Sequence, residues 1–185
     1  MNINSAEDLA KKINTLKDDN KLDLSSGEDM SIAIMNLVSI EEHCFFSYGK
    51  SKDEHYLSML NDARKMRTEL LKQIVSDPDP EGEIWCISKH LLAASMRIME
   101  VATKKLKSGE EVLAKNLFNK SFDLYSLFWG INLKLVGLKD VKSGIPENTV
   151  VASSEKEEKN IDTKGSSIFS KLGDVVKKVL DCCKE

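Results

Sequence analysis

Four runs of this chain, at about 28–48, 52–75, 80–107 and 110–136, repeat apolar residues every three or four positions, and no stretch sustains alternation at a period of two. Side chains share a face at those intervals only on a helix, so the pattern points to helices and away from strands. The breaks between the runs carry helix-stopping chemistry: Gly49, the SDPDP stretch from Ser76, Ser108-Gly109, and Gly137. Glycine accepts the left-handed backbone that closes a helix, and proline cannot continue one. Asp79 before Pro80 is a strong start signal, a capping carboxylate ahead of a proline at the first helical position. Ser25 or Ser26 stands near the start of the first run. Helices of roughly 20–27 residues joined by short turns favour an antiparallel up-down four-helix bundle, and the expected class is all-α.

The flanks differ from this body. Residues 1–24 hold one short stripe, Leu9, Ile13 and Leu16, capped by Ser5, which is marginal as an isolated helix. Residues 25–138 form the expected bundle. Residues 139–164 are polar, charged and without period, the composition of a flexible linker. Residues 165–185 read as an amphipathic helix, with Ile168, Phe169, Leu172, Val175, Val176, Val179 and Cys183 in one arc.

A chain of 185 residues is long enough to bury a core, and 41% hydrophobic with 31% charged residues fits a compact domain diluted by solvated segments. With 27 basic against 30 acidic residues the net charge is -3, which argues against a dedicated nucleic-acid binder. The opening MNINSAEDLAKKIN lacks the order of a signal peptide, and no apolar run is long enough to span a bilayer. Cys44, Cys86, Cys182 and Cys183 form no CxxC pair. Reduced thiols in a cytoplasmic protein are the expectation.

Each helix also carries a polar group among its apolar ones. On a helical wheel Glu41 lies near the middle of the arc made by Met30, Ile34, Leu37, Cys44 and Phe45. Arg67 falls inside the arc of Tyr56, Leu60, Ala63, Leu70 and Ile74, with Met59 and Met66 beside it. Asn132 centres the aromatic face of Phe118, Tyr125, Phe128 and Trp129, which Ala114 and Val136 extend. The third helix is apolar nearly all round, yet Glu83, His90 and Arg97 form a column along it at seven-residue intervals. An unpaired buried charge costs several kcal/mol, so these groups are expected to meet in a polar seam, Glu41 with Arg67 above all.

The seam has three readings. It is a salt-bridge network that fixes helix register, or an anion pocket built from Glu41, Arg67, His90, Arg97, Asn132 and Tyr125, in which arginines clamp a carboxylate or phosphate. In the third, Glu83, Cys86 and His90 ligate a metal ion, an arrangement the nearby arginines oppose. The residues three before His43, His55 and His90 are Ile40, Lys52 and Ile87, so the Glu-x-x-His pair of ferritin-like di-iron bundles is missing. No P-loop, GxGxxG, HExxH or calcium loop occurs. Without catalytic signature or expected cofactor, the sequence reads as a non-enzymatic interaction or adaptor module. Residues 165–185 contact a protein partner or a second copy, with peripheral membrane contact the less favoured use. The alternative is a bundle that binds a small anion or a metal.

Overall fold

The computed structural model describes residues 24–77, 82–137 and 172–173. The amino-terminal stripe, the Asp79-Pro80 start signal, the 139–164 linker and most of the 165–185 segment lie outside these residues. Within them the chain is all-helical: α1 Leu24–Ser51, α2 His55–Ile74, α3 Glu83–Lys107 and α4 Glu111–Asn132. None of these helices is long and apolar enough to cross a membrane.

Helix α2 packs back along α1, α4 packs back along α3, and a lighter contact between α1 and α3 joins the two pairs. One core runs through both. Trp129, Phe128, Ile34, Leu71 and Leu92 are its largest fully buried side chains.

Small residues set the α3–α4 approach. Ser88, Ser95 and Ala102 repeat at seven residues along the buried face of α3, and Ala114 and Ser121 do so on α4. Ser95 Oγ donates to the Ser121 carbonyl at 2.9 Å, and Ser121 Oγ donates to the Ser95 carbonyl at 2.7 Å. Side chains this short let two backbones come close enough for such reciprocal bonds, which satisfy both buried hydroxyls. Asn132 closes the far end. Its Nδ2 donates to Ser88 Oγ and to the Phe128 carbonyl, both at 2.9 Å, and its Oδ1 accepts the Ser76 N–H at 3.0 Å.

Several boundaries depart from the sequence-based ones, and local chemistry explains them. Helix α1 runs through Gly49 and ends at Ser51, because Lys52 takes the left-handed backbone (φ 61°) and its N–H bonds the Tyr48 carbonyl at 2.8 Å. Asp53 then starts α2: its Oδ1 accepts the His55 N–H at 2.9 Å. Helix α3 begins at Glu83, with Gly82 extended ahead of it. Gly109 closes α3 as expected, at φ 82°. Its N–H bonds the Leu106 carbonyl, and the Glu110 N–H bonds that of Lys105. Helix α4 stops at Asn132, not near Gly137, because Lys134 (φ 55°) builds the same cap: Lys134 N–H to Ile131 and Leu135 N–H to Gly130.

Leu172 belongs to the core although it lies far along the chain. It is helical, 2% exposed, and part of the same apolar cluster as Phe128 and Trp129. Gly130 on α4 makes room for it. A Cβ there would stand 2.8 and 2.9 Å from the two Leu172 methyls and 3.2 Å from Val136 Cγ2. Gly173 lies against Phe122, whose Cε1 would be 3.4 Å from an added Cβ.

Candidate functional site

Helices α1, α2 and α3 bound an open cleft of about 480 Å³ lined by Val38, Glu41, Arg64, Arg67, Lys89, His90 and Ala93. Its centre is an ion-pair cluster. Arg67 Nε donates to Glu41 Oε1, and Arg67 Nη2 reaches Oε2 at 3.4 Å. Arg64 Nε donates to the same Oε2 at 3.0 Å. The Arg67 side chain is 7% exposed and that of Glu41 12%, whereas Arg64 is 58% exposed. Arg67 thus sits where the wheel of α2 puts it, inside an apolar arc, and Glu41 reaches it across the α1–α2 interface. Pairing is what lets two ionised groups stay in so dry a place.

Of the residues singled out in the sequence, the structure brings together Glu41, Arg67 and His90. Arg97 is elsewhere, on the exposed side of α3, where it donates to Glu42 of α1 and to Glu100 one turn on. The Glu83/His90/Arg97 column is exposed along its length and does not face a buried seam. The buried residues of α3 are Trp85, Ser88, Leu91, Leu92, Ser95 and Ala102, so serines, which a hydropathy reading scores as polar, lie in the interior where that column was expected. Asn132 is committed to three bonds, one tying α4 to α3, one to the chain after α2 and one to the Phe128 carbonyl of its own helix. Tyr125 is a tie between α4 and α1: Ser31 Oγ donates to the Glu28 carbonyl at 2.6 Å, and the Tyr125 hydroxyl bonds that Oγ at 2.8 Å. Burial pushes the Tyr125 phenol above the ordinary tyrosine range, against the opposing pull of the Ser31 hydroxyl.

The metal arrangement does not assemble. Among the described residues no three His, Cys, Asp or Glu side chains converge to hold an ion. Glu83, Cys86 and His90 are all exposed on one helix, and Glu41, which shares the cleft with His90, is held by two guanidiniums. Phe45 is likewise 59% exposed beside buried Cys44, since α1 turns that residue outward.

Two features escaped the sequence reading. Arg64 lies one turn before Arg67, and i−3 spacing from an interior arginine is the signal that would have found it. The second is a groove of about 470 Å³ among α1, α3 and α4, whose lining includes Ile32, Met35, Met96, Met99, Phe118 and Phe122. Phe122 belongs to both this groove and the surface under Gly173. Comparison of the chain with family models, curated proteins and solved structures finds no match.

Proposed function

We propose that the four helices work as one antiparallel up-down bundle, a non-enzymatic cytoplasmic interaction module, and that residues 165–185 are its contact element. In this reading the segment is an amphipathic helix that alternates between a seat on α4 and a protein partner. The observation that supports it is Leu172, 2% exposed and set into the space left by Gly130. Leu172 of that segment lies against α4, so in this reading partner capture means exchange. A helix on a flexible tether holds its seat at a millimolar effective concentration, which a partner must overcome.

The methionine-lined groove bordered by Phe122 supports the same reading. Unbranched, polarisable methionine side chains repack around differing helical ligands, and a helix-in-groove contact uses such surfaces. The experiment compares capture of protein partners by the full chain, by a chain lacking 165–185, and by Gly130→Leu, which fills the seat while leaving the terminal arc intact. Capture is expected to disappear in the deletion and to rise in Gly130→Leu. Capture retained by the deletion refutes the contact element, and no rise in Gly130→Leu refutes the exchange.

A further inference from the structure

The geometry points to a second site, independent of partner capture: the cleft at Glu41, Arg64, Arg67 and Lys89 takes a phosphate group. Charge is the first ground. Three cationic side chains line the cleft against one carboxylate, an excess of two positive charges in a protein whose net charge is -3. A phosphate or phosphate monoester carries about 1.5 to 2 negative charges at neutral pH and would offset most of that excess.

Geometry is the second ground. Glu41 engages both arginines mainly through their Nε edges, with Arg67 Nη2 as a longer contact at 3.4 Å. The Nη groups of Arg64 and Nη1 of Arg67 bond nothing among the described residues, and neither does half-buried Lys89. The Glu41 carboxylate at the centre of the cleft orients both guanidiniums, and buried Arg67 in particular is a preorganised donor before a ligand arrives. Glu41 here positions the arginines. Its carboxylate is not a ligand for the anion. Lys89 adds a point charge from α3, and the cleft volume of about 480 Å³ leaves space for more than a bare phosphate.

The test titrates inorganic phosphate into the full chain at constant ionic strength set with sodium chloride, and reads the melting temperature. A saturable rise of roughly 5 °C or more is expected once phosphate exceeds its Kd a hundredfold. Arg64→Ala and Lys89→Ala change side chains outside the core and are expected to fold, with phosphate affinity lowered at least tenfold. A parallel titration with glycerol 3-phosphate separates the two sources: tighter binding assigns a phosphate monoester, equal binding assigns free phosphate. No saturable rise in the unaltered chain overturns the proposal. So does a rise of the same size in both variants, which would reflect general salting of the surface.

Discussion

Gly130→Ala is a change whose sign depends on a residue forty-two positions away. In an ordinary helix interior, alanine in place of glycine stabilises by about 1 kcal/mol. Here the new Cβ would meet both Leu172 methyls, at 2.8 and 2.9 Å, and Val136 Cγ2 at 3.2 Å. Leu172 is 2% exposed, so its methyls have little room to move aside, and overpacking of this kind costs about 1–3 kcal/mol. Gly130→Ala is therefore expected to destabilise the full chain by about 1 kcal/mol. Leu172→Ala alone removes a buried leucine and should cost about 2–5 kcal/mol. In the Leu172→Ala background the obstructing methyls are gone, so the glycine replacement should turn stabilising. The double-mutant cycle then closes with a coupling of about 2 kcal/mol. Urea unfolding followed by tryptophan fluorescence reads all four proteins, since Trp85 and Trp129 are both buried in the core. If Gly130→Ala stabilises the full chain and the coupling is zero, Leu172 is not seated on α4 and the reasoning fails.

Three further outcomes follow from the same structure. Glu41→Gln strands two guanidiniums, one of them buried, and should cost about 3 kcal/mol; Arg67→Met leaves Glu41 with Arg64 and should cost clearly less, an order that chemical denaturation checks. Burial raises the Tyr125 pKa, so the folded state favours the neutral phenol: its contribution is full below the ordinary tyrosine pKa of about 10 and is lost as pH climbs through the higher folded value. Melting curves from pH 8 upward should show an alkaline decline that is smaller in Tyr125→Phe. Lys52→Gly places glycine at a left-handed position and should stabilise by about 0.5–1 kcal/mol, less whatever the Lys52 contact over the Tyr48 ring contributes, as a higher urea midpoint.

The helices were legible because their periodicity is strong and the breaks between them are short. Their ends were less so. Glycine was the natural choice for a helix stop, and at Gly109 it is the stop, but Lys52 and Lys134 adopt the same left-handed backbone, and nothing in a lysine announces that. The wheel located Glu41 and Arg67 correctly because each lies in a clear apolar arc. It failed for Glu83, His90 and Arg97 because α3 is apolar on most sides, so no arc defined its interior. What settles the buried face of α3 is size: Ser88, Ser95 and Ala102 allow α4 to come close, and hydropathy does not rank residues by volume. Asn132 and Tyr125 were found as interior polar groups, but their partners, Ser76, Ser88 and Ser31, come from other helices or the chain after α2 and leave no trace in local sequence.

Hydrogen exchange over residues 168–179 of the full chain measures the seat on α4 directly. The account predicts amides that exchange at least a hundredfold more slowly than an unfolded chain, with that protection removed by Gly130→Leu. Exchange at unfolded-chain rates in the unaltered protein would contradict it.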